Sequence, residues 1–231
     1  MARRTRHSLQ NAIYHVMMRG NNGQTIFSSD EERRRFCLLL QEGYVVTPEI
    51  EEGYEWVFEP GVRAVDKLHG TNICVHTHEG KIIAVDNRTT RILHPPIEIY
   101  TKKSSSQSRF LLGILNSVDK GWLETYADGS VYGELIGPDI NTNLHGTPYP
   151  LFVPFEYLYD RCHWKSWVNN KYPKNYDAIS DWFKEMISLF TERVFKREVL
   201  AEGVVFRHPD GRMAKLRRDM FDWYEGPRHG D

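Results

Sequence analysis

One eight-residue segment constrains this chain more than any other, namely residues 65–72, which read Val-Asp-Lys-Leu-His-Gly-Thr-Asn. Lys67 follows a short apolar run typical of a strand, and Gly70 allows ligand phosphates to approach the backbone closely. A lysine amine attacks a phosphate only when deprotonated, so neighbouring groups must lower a pKa whose ordinary value is about 10.4. We therefore predict that Lys67 is a nucleophile whose site is completed by distant carboxylates and cations. The alternative is an exposed turn that happens to carry a lysine and a glycine.

Two distant segments supply such groups. Glu134 lies within an apolar, strand-like run, where a buried carboxylate needs a partner such as a ligand hydroxyl or a cation. Residues 202–218 predict a hairpin that turns at residues 209–211, Pro-Asp-Gly. Glu202 begins its first strand, and Lys215 and Arg217 share one face of its second strand because side chains alternate along a strand.

Composition limits the remaining possibilities. The 231 residues are 40% hydrophobic and 26% charged, which suits one substantial domain with a small appendage. A net charge of -1 means that any nucleic-acid surface must be local. Cys37, Cys74 and Cys162 are far apart and odd in number, which argues against a disulfide framework or a zinc site and fits a reducing compartment. Without a long apolar run or a signal-peptide pattern, we expect a soluble, cytoplasmic protein.

Residues 1–43 read differently from the rest. They predict a basic arm, a short strand, a turn and a helix over residues 31–41. Residues 14–22 and 30–36 resemble the start of the transposases associated with repetitive extragenic palindromes. Two interpretations stay open for this appendage: it covers a sheet edge, or it contacts nucleic acid through its arginines, Arg3, Arg4, Arg6, Arg19, Arg33, Arg34 and Arg35. The His-hydrophobic-His motif of those transposases does not follow, because residues 76–78, His-Thr-His, predict a strand with polar outward positions.

Periodicity predicts the other elements. Residues 73–78 and 81–88 form a hairpin that turns at residues 79–80 and places Arg88 near the lysine segment. Phe155 lies in a strand-like run, where it either stacks on a base or packs in the core. The remaining expectations are a connection and a first strand over residues 44–60, helices over 108–117 and 178–194, and a strand over 151–159. Residues 164–176, which are basic and aromatic, favour a surface loop, with contact to nucleic acid as the alternative.

Taken in order, the motifs of residues 62–223 resemble those of the covalent nucleotidyltransferases, and most closely the nick-sealing RNA ligase 2 family. The matching segments are residues 67–72, 87–89, 132–135, 155–156, 202–205 and 215–217. The resemblance implies an α+β domain over residues 44–231, with two mostly antiparallel sheets, flanking helices and a nucleotide cleft. It also implies ATP, Mg²⁺ or Mn²⁺, and RNA ends or a nicked duplex as ligands of a monomeric enzyme.

The same resemblance implies a three-step reaction. Lys67 attacks the α-phosphate of ATP, AMP passes from the lysine to an RNA 5′-phosphate, and a 3′-hydroxyl then displaces the AMP. Glu134 would hold the ribose, Phe155 would stack on adenine, and His69 and Gly70 would help to bind the nucleotide. The residues that would handle phosphate, metal and RNA ends are Lys215 and Arg217 at the α-phosphate, Arg88 at the 5′-phosphate, Glu202 at the metal or at Lys67, and Asn72 near the 3′-hydroxyl.

Two departures from the family pattern stand out. Arg217 occupies a position where the family usually has lysine, and arginine keeps the charge but cannot lose a proton. Residues 219–231 leave no room for the C-terminal domain of many ligases, so we expect the N-terminal segment to assist RNA binding. Three alternatives remain open: a DNA ligase, a capping-type guanylyltransferase, and a non-catalytic nucleic-acid-binding fusion.

Overall fold

The computed structural model describes residues 46–101, 106–169, 171 and 174–226, which fall into two compact units. The larger unit spans residues 48–218 and carries the predicted site. The described part of the smaller unit comprises residues 46–47 and 219–226, where the Val46 amide donates to the Met220 carbonyl. The predictions for residues 1–43 lie outside the described residues.

The strands of the described residues form two antiparallel sheets, as the α+β expectation required. The five-stranded sheet has the order β4-β3-β2-β5-β6, and the three-stranded sheet has the order β1-β7-β8. The strands are β1 (Arg63–Lys67), β2 (Thr71–His78), β3 (Lys81–Asp86), β4 (Arg91–Leu93), β5 (Gly129–Ile136), β6 (Leu151–Pro154), β7 (Gly203–Arg207) and β8 (Met213–Arg217). The helices are α1 (Ser106–Asp119), α2 (Phe155–Arg161), α3 (Lys165–Val168), α4 (Tyr176–Glu185) and α5 (Leu189–Phe195), and short 3-10 turns cover Glu55–Phe58, Ile97–Thr101 and Arg218–Met220.

Side chains alternate between the two faces of the larger sheet, one of which packs in the core while the other faces the predicted site. Ile73 and Val75 of β2 pack with Leu111 and Ile114 of α1, so the predicted helix over residues 108–117 is confirmed. Leu115 follows the same apolar spacing in this helix, yet it is 40% exposed. The opposite face of the sheet carries polar residues close to the lysine segment.

A three-residue turn joins the two sheets at the lysine segment. Lys67 ends β1 in the smaller sheet, and β2 begins in the larger sheet immediately after Gly70. A Cβ atom added at Gly70 would lie 2.3 Å from the Leu135 carbonyl oxygen, so only glycine fits this position. Lys67 and the three-residue connection, residues 67–70, are called the lysine turn, and Gly70 brings this turn directly against β5.

The predicted strand over residues 151–159 is wrong beyond its fourth residue. β6 ends at Pro154, which pairs with Gly133, and α2 begins at Phe155. Proline has no amide hydrogen to continue a strand ladder, and it fits well immediately before the first turn of a helix.

The predicted helix over residues 178–194 is in fact two helices. Met186 and Ser188 have extended backbone, and the Ser188 side chain caps α5 by accepting from the Thr191 amide. The segment between the helices pairs with residues 199–201 through the Ser188–Val199 and Ala201–Met186 backbone bonds. Apolar residues at helical spacing continue through this break, so local periodicity could not reveal it.

Other local predictions have mixed outcomes. The hairpin turn at Glu79 and Gly80 is confirmed, with φ values of 47° and 77°, and so are the strand at His76–His78 and the β7–β8 hairpin.

The first strand expected within residues 44–60 is absent from residues 46–60, where a 3-10 turn buries Trp56. The surface loop predicted over residues 164–176 is wrong for residues 165–168, which form α3, where Trp167 is 1% exposed and its ring lies 4.8 Å from that of Phe206. In the described part of the chain, we find no helix with the length and apolarity needed to traverse a bilayer.

Candidate active site

Strand register brings the charged residues of the smaller sheet together. Lys67 pairs with Gly203, and Gly203 pairs in turn with Arg217. A Cβ atom at Gly203 would lie 2.3 Å from the Leu216 carbonyl oxygen, so glycine permits the close approach of β7 and β8 here. Glu202, one residue before β7, consequently stands beside the end of β1.

An ion pair joins the predicted nucleophile to that carboxylate. Lys67 Nζ donates to Glu202 Oε2 at 2.7 Å, and His69 Nδ1 lies 3.6 Å from Glu202 Oε1. Burial raises the pKa of Glu202, but hydrogen bonds from His69 and Lys67 and the lysine charge outweigh it and hold this pKa below its ordinary value. Glu202 is therefore an ionised carboxylate that engages two side chains of the lysine turn.

The larger sheet contributes a second carboxylate with the opposite behaviour. Glu134 of β5 is the cross-strand partner of Asn72 and accepts a hydrogen bond from the Gly70 amide. Burial raises the pKa of Glu134 to about 7, although the charges of Lys67 and Arg88 oppose this rise. Near neutral pH this side chain can therefore both donate and accept, as a ligand with hydroxyl groups requires.

Four cations gather around these carboxylates. Lys215 and Arg217 are two residues apart in β8 and therefore share one face of it, as predicted. Lys215 is close enough to Arg217, Lys67 and Arg88 for their charges to affect its pKa. Burial and those three charges lower the pKa of Lys215, while Glu202 raises it. Such a concentration of positive charge favours a phosphate ligand, since charged donors make strong hydrogen bonds to phosphate oxygens.

The other predicted site residues lie at the edge of this group. Asn72 faces the same side of the larger sheet as Glu134, its cross-strand partner. Phe155 begins α2 and packs, partly buried, against the apolar cluster that includes Leu68 and Val153. The structure thus brings together the predicted polar residues and Gly70, whereas Phe155 is placed only against the apolar cluster beside the lysine turn. The residues brought together are Lys67, His69, Gly70, Asn72, Arg88, Glu134, Glu202, Lys215 and Arg217. Their individual roles remain predictions.

Residues that sequence reasoning missed also contact the lysine turn. His145 Nε2 accepts a hydrogen bond of 2.7 Å from the His69 amide, and Asn141 Nδ2 donates to the Gly70 carbonyl. Both lie in the loop between β5 and β6, which has no periodic pattern in the sequence. Its asparagines and glycines indicate a turn, but they carry no signal for what the loop contacts.

A metal ion would find a single suitable carboxylate here. The described residues contain no cluster of three or more His, Cys, Asp or Glu side chains arranged to hold an ion. Mg²⁺ is commonly bound by one or two carboxylates together with substrate phosphates, so Glu202 fits this mode of binding when a phosphate ligand offsets the charge of the neighbouring cations. A cavity of about 460 Å³, lined by Trp164, Trp182 and Met186 among others, includes none of these residues.

A family model described as RNA ligase matches residues 62–221. Similar solved structures include a Naegleria gruberi RNA ligase as an apo lysine-to-alanine mutant, with 17% identity and a TM-score of 0.43, and the same ligase with PPi, with 17% identity and a TM-score of 0.42. Each alignment covers 75% of this chain and 56% of the Naegleria chain, so this chain spans little more than half the length of those ligases. Among curated protein sequences, none matches this chain significantly.

Proposed function

The chain belongs to the RNA ligase family, and from this premise we propose that it is an ATP-dependent ligase that joins RNA ends through a covalent lysyl-AMP. One observation carries the proposal: Lys67 Nζ lies 2.7 Å from Glu202 Oε2, beside the buried Arg217 and the more exposed Lys215 and Arg88. A lysine held this way beside phosphate-binding side chains suits attack on a phosphate better than it suits a structural ion pair.

In the first step, the Lys67 amine attacks the α-phosphorus of ATP. A nitrogen–phosphorus bond forms as the bond to the β-phosphate oxygen breaks, and pyrophosphate leaves. Glu202 orients the amine, while Lys215 and Arg217 bind the α-phosphate oxygens on which charge accumulates. Arg217 suits this task in place of the usual lysine, because its planar guanidinium can bind two phosphate oxygens at once.

Residues on the other side of the site bind the nucleotide base and sugar. Glu134 binds the ribose hydroxyls, and its pKa of about 7 lets it act as donor or acceptor to them. Phe155 stacks on adenine from the start of α2, and His69 and Gly70 contact the nucleotide from the lysine turn. A Mg²⁺ or Mn²⁺ ion held by Glu202 would supply additional neutralisation of the phosphate charge.

The next two steps join the RNA ends. An RNA 5′-phosphate displaces Lys67 from the AMP, which gives an adenylylated 5′ end and restores the amine. A 3′-hydroxyl then attacks that 5′-phosphate and AMP leaves. Arg88 binds the 5′-phosphate, and Asn72 places the strand that carries the 3′-hydroxyl. We propose RNA ends or a nicked duplex as the substrate of a monomeric, cytoplasmic enzyme.

Labelling of the protein by nucleotide tests this function directly. The full chain and its Lys67→Ala variant are incubated with α-labelled ATP and magnesium, and then separated by denaturing electrophoresis. We expect label on the parent protein and none on the variant, because only the lysine amine forms the covalent bond. Label from GTP instead of ATP would favour a capping-type enzyme, and label that reaches DNA ends but not RNA ends would favour a DNA ligase. Absence of any label on freshly prepared, adenylate-free protein would contradict the proposal.

A further inference from the structure

The loop between β5 and β6 holds the lysine turn at two adjacent residues, His69 and Gly70. His145 accepts from the His69 amide, and Asn141 donates to the Gly70 carbonyl. The Gly70 amide donates to Glu134 at the end of the preceding strand. Side chains of β5 and the loop after it therefore bind three polar backbone groups of the turn that carries the nucleophile.

The loop has an internal framework that fixes these contacts. Asn143 Oδ1 accepts from the backbone and the hydroxyl of Thr147, both at 3.1 Å, and Asn143 Nδ2 donates to the Thr147 carbonyl. The Gly146 carbonyl accepts from Arg197, which follows α5, at 2.6 Å. His145 lies between these anchored positions, so the frame determines where its ring points.

The His145 ring is suited to accept a hydrogen bond and to do little else. It is 1% exposed, and its burial lowers its pKa to about 4, so the ring is neutral near pH 7. A neutral ring that accepts at Nε2 carries its proton on Nδ1, and this buried Nδ1 has no hydrogen-bond partner among the described residues. An unpaired buried donor is destabilising, and an apolar side chain of similar size would avoid that penalty. The bond to the His69 amide is the contribution that an apolar side chain could not make.

Two side chains of the turn depend on how its backbone is oriented. Lys67 and His69 reach the two oxygens of one carboxylate, that of Glu202. A small rotation of the peptide between Leu68 and His69 would displace both side chains from Glu202. The hydrogen bond from the His69 amide restrains that rotation.

We propose that His145 is a positioning residue for formation of the lysyl-adenylate, because it holds the His69 amide and thereby aligns the lysine turn with Glu202. The inference rests on the proposed function, since it concerns the step in which Lys67 reacts. It also separates that step from strand joining, in which the Lys67 amine no longer takes part.

The test compares two replacements of His145 in the full-length chain. His145→Leu fills the space but has no acceptor, whereas His145→Gln places an amide oxygen near the position of Nε2. Single-turnover labelling with α-labelled ATP gives the maximal rate and the half-saturating ATP concentration. We expect His145→Leu to lower the maximal rate by about tenfold to a hundredfold, as a misaligned reacting group can, with little change in half-saturation. His145→Gln should recover most of that rate, and Leu144→Ala, at an exposed neighbouring residue, should leave it unchanged.

Ligation of RNA that is already adenylylated provides the second measurement. His145→Leu should join such RNA at close to the parent rate, because that step bypasses the Lys67 attack. Equal losses in both steps, or a His145→Gln variant as slow as His145→Leu, would overturn the positioning role and indicate a general effect on folding. If His145→Leu does not fold, Asn141→Ala should slow labelling by a few fold, and an unchanged rate would overturn the proposal. A parent protein that takes no label would defeat the proposed function itself, and the role of His145 with it.

Discussion

The two sheets contribute different chemistry to the site. The three-stranded sheet carries the groups proposed to act on phosphate, Lys67, Lys215 and Arg217, with Glu202 directly before β7. The five-stranded sheet carries Glu134 and Asn72, with Arg88 shortly after β3, and these groups are proposed to recognise sugar and RNA ends. Reaction and recognition are thus assigned to separate sheets, and the lysine turn, which joins β1 to β2, sets how the two align.

The smaller sheet is also held in place on the side that faces away from the site. Asp66, adjacent to Lys67 in β1, points away from the site and accepts from Ser188 Oγ at 2.7 Å and from the Phe190 amide at 2.9 Å. Burial raises the pKa of Asp66 to about 6, although these two bonds oppose the rise. The break between α4 and α5 therefore has a physical purpose, because it turns the start of α5 toward this carboxylate. Substitutions in each sheet should consequently affect different measurements.

The largest effect is expected for the phosphate-binding strand of the smaller sheet. Lys215→Ala should lower the rate of nucleotide labelling by about a hundredfold or more, since loss of one donor to developing charge typically has that effect. Single-turnover labelling at saturating ATP measures it. Met213→Ala, at an exposed position of the same strand, serves as the control and should react normally. If Lys215→Ala is labelled within about threefold of the parent rate, the smaller sheet does not bind the phosphate through this strand.

Glu134→Gln probes the larger sheet through the pH dependence of stability. The folded-state pKa of Glu134 is about 7, above the ordinary glutamate value of 4.5, so the folded protein binds the extra proton between these pH values. The stability that this proton provides is complete below pH 4.5 and is lost as the pH rises through 7. The difference in free energy of unfolding between Glu134→Gln and the parent should therefore shift in favour of the variant by on the order of 2 kcal/mol as the pH rises from 4.5 to 8.

Urea denaturation of both proteins at several pH values measures this difference, and the contribution of Asp66 cancels because both proteins retain it. A parent and variant whose stabilities change in parallel with pH would place Glu134 in a well-solvated environment. The same variant should also need about ten times more ATP for half-maximal labelling, with a smaller change in maximal rate, as expected for a residue that binds sugar.

Sequence reasoning predicted the site better than it predicted the segments that hold the site in place. The order of motifs identified Lys67, Glu134 and Glu202, and two-residue alternation placed Lys215 and Arg217 on one face. Each motif and the alternation along a strand can be recognised from neighbouring residues, and strand pairing then brings the motifs close together. His145 and the α4–α5 break depend instead on contacts between segments far apart in the chain, such as the pairing of residues 186–188 with residues 199–201. No local pattern encodes those contacts.

The smallest effect is expected behind the smaller sheet, at Ser188. Its hydroxyl donates to Asp66 Oδ2 and accepts from the Thr191 amide, so Ser188→Ala removes one bond to the buried carboxylate and the cap of α5. Each loss typically destabilises a protein by about 1 kcal/mol, and we expect a total of about 1–2 kcal/mol by urea denaturation. Nucleotide labelling at 25 °C should change by less than about threefold, because the Phe190 amide still binds Asp66 and the front contacts of the lysine turn are intact. Asp181→Ala, at an exposed position in α4, controls for general effects on these helices. A large loss of labelling with unchanged stability would show that the contacts of Asp66 with Ser188 affect the reaction itself. The face of β1 that is directed away from the site would then contribute to catalysis and not only to stability.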